Sequence, residues 1–187
     1  MSFPGIPSLD AAVMAFIQTH FHNTVTDTVF PIITSLGEAG IGWIVLSLVL
    51  LCFKKTRCTG GLVLIAMTVT LLFGELTLKN IICRLRPCNV FTNFPMLIAR
   101  PTSYSFPSGH TSSSFAAALI LTLRHKKVGW LAYIPAVLIA FSRIFLFVHY
   151  PTDVLAGILL GTFAALLTYF AAKAIQKRQA EKRTAQI

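Results

Sequence analysis

Two histidines, one aspartate, two serines, one lysine and three arginines fall in three short clusters of this 187-residue chain. The first is KNIICRLRP, where Lys79 and Arg86 stand seven residues apart. The second is PSGH, from Pro107 to His110. The third is SRIFLFVHYPTD, which carries Arg143, His149 and Asp153. Together they hold what phosphate chemistry requires. Arginine grips phosphate oxygens bidentately and lysine adds a point charge. A helix opening at Ser108 and Gly109 would offer backbone N–H groups and a positive dipole end to an anion, and glycine lets that backbone come close. A neutral imidazole can attack phosphorus, and a nearby carboxylate can fix its tautomer and stabilise its charged form. His149 and Asp153 are four residues apart, which one helical turn brings into reach. His110 is then available to protonate the leaving oxygen as general acid. The basic residues would neutralise charge on the equatorial oxygens, and water would finish the turnover by hydrolysing a phosphohistidine.

Elements that could position these clusters are apolar and long. The chain is 55% hydrophobic and 12% charged, with a mean hydropathy of +0.74. That is too apolar for a water-soluble domain and points to an integral membrane protein. A helix needs roughly 20 apolar residues to cross a bilayer core. Gly60 to Ile82, Pro107 to Leu123, Val128 to Val148 and Val154 to Ala174 approach that length, and Leu36 to Phe53 is shorter. The stretch from Leu9 to Ser35 is weaker, with Asp10, His20, His22, Asp27 and Pro31 inside it; it reads as an amphipathic interfacial helix followed by a short membrane helix. The expectation is an all-α, polytopic bundle of about six transmembrane helices, one domain over residues 1–187, with no repeat. The start, MSFPGIPSLD, lacks the basic and apolar regions of a cleavable signal.

Net charge is +10, with sixteen lysines and arginines. Eleven of the sixteen fall in the loop at Lys54, Lys55 and Arg57, the loop at Arg124, Lys126 and Lys127, and the tail at Lys173, Lys177, Arg178, Lys182 and Arg183. Alternating spans put all eleven on one side, which the positive-inside rule makes cytoplasmic. The basic excess therefore expresses topology rather than nucleic-acid binding, and residues 176–187 become a cytoplasmic tail. Lys79, Arg84, Arg86, Arg100 and Arg143 remain on or near the outward side. A charge inside an apolar run is costly, which marks Lys79 and Arg143 as functional candidates.

These residues resemble the type 2 phosphatidic acid phosphatase superfamily of integral membrane lipid phosphate phosphatases. Its three-part signature is K-x6-R-P, then P-S-G-H, then S-R-x5-H-x3-D. Lys79 with Arg86-Pro87, Pro107 to His110, and Ser142-Arg143 with His149 and Asp153 match it at every motif position. The resemblance covers Gly60 to Thr168 well and the first 55 residues loosely. It implies that His149 is the nucleophile, supported by Asp153, and that His110 is the general acid. It assigns phosphate binding to Lys79, Arg86, Ser108, Gly109 and Arg143, and it implies no metal and no cofactor. Soluble vanadium haloperoxidases share such a site, so vanadate inhibition is expected. Short bacterial members resemble undecaprenyl diphosphate phosphatases. That substrate is favoured over phosphatidylglycerophosphate or phosphatidic acid, in a bacterial plasma membrane with the site facing outward. The expected partners are a lipid phosphate and the bilayer, without an obligatory protein partner.

Several residues stay outside the signature. Glu75, four residues before Lys79, can pair with it on one helix face and is read as supporting. Arg84 and Arg100 are open between headgroup binding and simple placement at the interface. His20, His22 and His125 are read as structural. Cys83 and Cys88 flank Arg86-Pro87, and their spacing does not decide whether they are bridged. Two other functions remain: a phosphotransferase passing the phosphohistidine to a lipid hydroxyl, and a small channel or transporter using Lys79 and Arg143.

Overall fold

The computed structural model describes residues 3–184; the last three residues of the basic tail fall outside it. All regular structure among the described residues is helical. The helices are α1 (Ser8–His20), α2 (Thr24–Leu36), α3 (Ile41–Cys52), α4 (Arg57–Thr70), α5 (Lys79–Ile82), α6 (Pro87–Val90), α7 (Gly109–Arg124), α8 (Tyr133–Phe145) and α9 (Pro151–Thr184). A π-helical segment, Leu71–Leu78, joins α4 to α5. Short 3₁₀ turns at Glu38–Gly40 and Gly129–Ala132 lead into α3 and α8.

The stretches Arg57–Val90 and Pro151–Thr184 are long and apolar enough to cross a membrane. The pair α2 and Glu38–Cys52 passes the same test as one span bent by 45°, and Gly129–Phe145 is a shorter apolar helix. Polarity is distributed as lipid demands. Leu159, Phe163, Phe170, Ile65, Leu76 and Ile134 are exposed on the bundle exterior, while α7 buries Ser112, Ser113, Ser114, Ala116, Ala117 and Ala118 at its centre. Small residues let helices approach closely where no hydrophobic effect drives them together. Buried polar groups are paired across helices: Trp43 Nε1 donates to Ser114 Oγ at 2.9 Å, and Gln18 Nε2 donates to the Phe145 carbonyl at 3.0 Å.

The α7–α9 contact sets the geometry of everything that follows. Gly157 and Gly161 lie one turn apart on α9. A Cβ on Gly157 would come within 2.7 Å of the Ser108 carbonyl oxygen, and one on Gly161 would overlap the backbone at Ser112. No residue but glycine fits that seam. It brings the start of α7 against the start of α9, where Ser108 N–H donates to the Asp153 carbonyl at 3.1 Å. The loop at Lys54–Arg57, the loop at Arg124–Lys127 and the C-terminal part of α9 lie at the opposite helix ends from Lys79, His110 and Asp153.

Candidate active site

Each of the three motif clusters reaches the same site by a different backbone device. The π-helical segment carries Glu75 and leads into Lys79 at the start of α5, and both Glu75 oxygens accept from Lys79 Nζ, at 2.7 and 2.6 Å. Glu75 also lies against the start of α7, where a Cβ on Gly109 would collide with its Oε1. Lys79 is thereby tied to the PSGH turn. No side chain caps α7 at its N-terminus, and Ser108 Oγ accepts from Thr111 Oγ1 at 2.9 Å. The first N–H groups of this 16-residue helix are free to face an anion.

The third cluster is not helical where it matters most. Between α8 and α9 the chain turns through Phe147, a bulky residue in the left-handed region at φ 59°. That conformation carries strain for such a residue and persists only when neighbours enforce it. Here Phe94 stacks on the Phe147 ring at 3.9 Å and Phe3 adds a second contact at 5.3 Å. The turn folds His149 N–H back onto the Arg143 carbonyl at 3.2 Å. His149 therefore reaches Asp153 from the turn preceding α9, rather than along one helical turn as its spacing suggests.

His149 is held at Nε2 and faces a carboxylate with Nδ1, which makes no hydrogen bond among the described residues. Nε2 lies 2.9 Å from Arg86 Nη1, and Nδ1 lies 3.4 Å from Asp153 Oδ2. A guanidinium can only donate, so Nε2 carries the lone pair and Nδ1 the proton. Arg86 is itself fixed by the carbonyls of Ser103 and Val148 at 2.7 and 2.9 Å. Burial first, then the charges of Arg86, Arg143 and Lys79, hold the His149 imidazole well below the ordinary histidine range. It is therefore neutral at physiological pH.

Arg143 is buried, with Nη1 bound to Thr34 Oγ1 and a buried Nε that finds no partner among the described residues. His110 stands in the electrostatic reach of Arg143, His149, Arg86 and Lys79, and its Nε2 lies 3.5 Å from Glu38 Oε2. Lys79, Arg86, Ser108, Gly109, His110, Arg143, His149 and Asp153 thus come from three separate stretches of the chain to one place, with Glu75 at its edge. A group of three or more histidine, cysteine, aspartate or glutamate side chains able to hold a metal ion does not form among the described residues.

The description "PAP2 superfamily" matches residues 59–177, well over half of the chain. The chain belongs to the PAP2 superfamily. An undecaprenyl-diphosphatase of Sulfolobus acidocaldarius is 39% identical over 127 residues, 67% of this PAP2 chain and 61% of that protein. The chain thus spans under two thirds of that relative's length. The undecaprenyl-diphosphatase BcrC of Bacillus subtilis is 31% identical over 157 residues, covering 79% of this chain and 76% of its own. Among solved structures, the PAP2-type phosphatidylglycerolphosphate phosphatase of Bacillus subtilis superposes with a TM-score of 0.73 at 28% identity, covering 92% of this chain and 89% of that one.

Other residues at this PAP2 site carry no motif. Arg84 is engaged inside the protein. It donates to Asp153 Oδ1 at 2.6 Å and to Asp10 Oδ2 at 2.7 Å, with its guanidinium 3.8 Å above the Tyr150 ring. Asp10, fully buried on α1, also accepts the Thr152 N–H at 2.9 Å and the Thr152 hydroxyl at 2.7 Å. It satisfies a free donor at the start of α9, as an N-cap would. Arg100 is likewise engaged internally, on the carbonyls of Cys88, Thr92 and Phe94. Asp10, Thr34 and Glu38 all lie outside residues 59–177, and only Asp10 had a sequence signal, as a carboxylate in an otherwise half-apolar helix. The four cysteines are free thiols, so Cys83 and Cys88 are not bridged.

The pair of buried Asp10 with half-buried Arg84 gives a direct expectation. Removing one partner of such a pair costs about 3 kcal/mol. Asp10→Asn should lower the Tm of the detergent-solubilised chain accordingly, and an unchanged Tm would show that Asp153 alone holds Arg84.

Proposed function

We propose that this PAP2 chain is a membrane lipid phosphatase that removes the terminal phosphate of a lipid phosphate or diphosphate, with undecaprenyl diphosphate as the preferred substrate. The observation that carries the reading is His149, buried and neutral, with its lone pair on Nε2 and its Nδ1 proton toward Asp153. Nε2 of His149 attacks phosphorus as the bond to the leaving oxygen breaks, and His110 gives that oxygen a proton. Arg86, already in contact with Nε2, exchanges this contact for a phosphate oxygen. Arg143 offers its unpartnered Nε–H, Lys79 its charge, and the start of α7 at Ser108 and Gly109 its backbone N–H groups. Water, deprotonated by His110, then cleaves the N–P bond. Asp153 balances the charge that His149 carries in between.

The substrate preference draws on the two relatives named undecaprenyl-diphosphatase. A chain of about six spans, with the pocket outward in a bacterial plasma membrane, accords with the basic loops lying at the helix ends opposite the pocket. The test is phosphate release by the purified chain in detergent from undecaprenyl diphosphate, phosphatidylglycerophosphate and phosphatidic acid, with and without EDTA. The expected result is highest kcat/KM on the polyprenyl diphosphate and no loss in EDTA. A different rank order reassigns the lipid, and phosphate appearing on an acceptor hydroxyl instead of free in solution makes the protein a phosphotransferase.

A further inference from the structure

A histidine that acts as general acid must arrive carrying two protons. The company around His110 is poor for that purpose. Lys79 from α5, Arg86 from the turn before α6 and Arg143 from α8 all bear on its ring, beside the His149 imidazole. A charged imidazolium among three cations needs a counter-charge. Two carboxylates nearby are already engaged: Glu75 with both oxygens on Lys79, and Asp153 on Arg84, the Tyr150 N–H and His149.

The remaining carboxylate comes from the elbow between α2 and α3. Glu38 Oε2 lies 3.5 Å from His110 Nε2, close enough for charge attraction and too far for a good hydrogen bond. Accordingly His110 Nε2, shielded from solvent, has no hydrogen-bond partner among the described residues. Its proton stays available. The elbow is shaped to bring this carboxylate in. A Cβ on Gly37 would sit 2.8 Å from His110 Cδ2 and 2.8 Å from Ile139 Cγ2, so only glycine lets the elbow touch the ring. Directly after Glu38 come two left-handed residues, Ala39 at φ 48° and Gly40 at φ 70°. Alanine in that region is strained backbone, of the kind that collects at functional sites. The Glu38 side chain is 74% exposed, so packing does not explain its place.

We propose that Glu38 is a positioning residue for the general acid, its carboxylate keeping the His110 imidazole charged without taking the Nε2 proton in a hydrogen bond. The inference rests on the assignment of His149 and His110 given above. In the first step the His149 Nε2–P bond forms, the P–O bond breaks and the His110 Nε2 proton moves to the leaving oxygen. In the second, water's oxygen bonds to phosphorus, the N–P bond breaks and water's proton restores Nε2. Glu38 takes part in neither bond change and supplies only negative charge.

The experiment compares wild type, Glu38→Gln, Glu38→Asp and His149→Ala as full-length protein in detergent. Two substrates are used: the best lipid of the panel above, and p-nitrophenyl phosphate, whose phenolate departs without a proton. Glu38→Gln should lower kcat on the lipid about tenfold at neutral pH. It should also move the alkaline limb of the kcat–pH profile down by about one unit, with Glu38→Asp between the two. On p-nitrophenyl phosphate, the rate of phenolate release in the first turnover should stay within about twofold of wild type. Equal losses on both substrates, an unmoved alkaline limb, or unchanged turnover of the lipid would each overturn the proposal. Activity surviving in His149→Ala would overturn the underlying assignment instead, whatever the Glu38 variants do.

Discussion

His149→Ala is expected to lose phosphate release by about four orders of magnitude or more, the usual consequence of deleting a nucleophile. Covalent labelling gives a second readout. A phosphorus–nitrogen bond is acid-labile and survives base, so brief mixing with a ³²P-labelled lipid substrate should leave base-stable label on wild type and none on the variant. Lost burial contributes little to this outcome. Arg86 keeps its bonds to the Ser103 and Val148 carbonyls when the imidazole is gone, and the turn at Phe147 is held by Phe94 and Phe3. The variant should elute and unfold as a folded chain. Label or turnover persisting in it would remove His149 from the mechanism.

Asp153→Asn should cost roughly four orders of magnitude in kcat with little change in KM, by comparison with the loss of an orienting carboxylate beside a catalytic histidine elsewhere. The reason is local. One Asp153 oxygen accepts from Arg84 at 2.6 Å, while the other accepts the Tyr150 N–H at 2.9 Å and faces His149 Nδ1. An amide must turn its NH₂ to one side or the other. Toward Arg84, it sets donor against donor. Toward His149, it favours the tautomer with the proton on Nε2, where no lone pair remains for attack. The backbone bond from Ser108 N–H to the Asp153 carbonyl is unaffected, so phosphate binding should persist. A raised KM with normal kcat would show that Asp153 serves binding rather than orientation.

Much of this arrangement was legible from residue types alone. The helical class followed from long apolar runs, and the pairing of Glu75 with Lys79 followed from their spacing. Where the sequence misled, the cause was backbone. His149 and Asp153 are neighbours, but a left-handed Phe147 makes them so, and nothing in a phenylalanine announces that conformation. Arg84 stands at a free position between Lys79 and Arg86, so its pairing with Asp10 across 74 residues could not be read. Thr34 lies 109 residues from Arg143 in sequence and carries no periodic signal toward it. The same holds for Glu38. The seam at Gly157 and Gly161 belongs to the same class, since its partner surface lies on α7. Local patterns report on one helix at a time, and these contacts are made between helices.

One continuous helix, α9, carries Asp153 near its first residue and the basic residues Lys173 to Arg183 toward its last. From Asp153 to Lys173 is twenty residues, or about 30 Å of helical rise, which is also the thickness of a typical hydrocarbon core. Lys173 folds its ammonium over Tyr169 at 5.5 Å, an aromatic–cationic pairing suited to a headgroup boundary. On the proposed topology, with that pair moored at one surface of the bilayer, the rod would bring the aspartate to the depth of the headgroups on the other. The far end of α9 would then act as a depth gauge for the proposed nucleophile beside it.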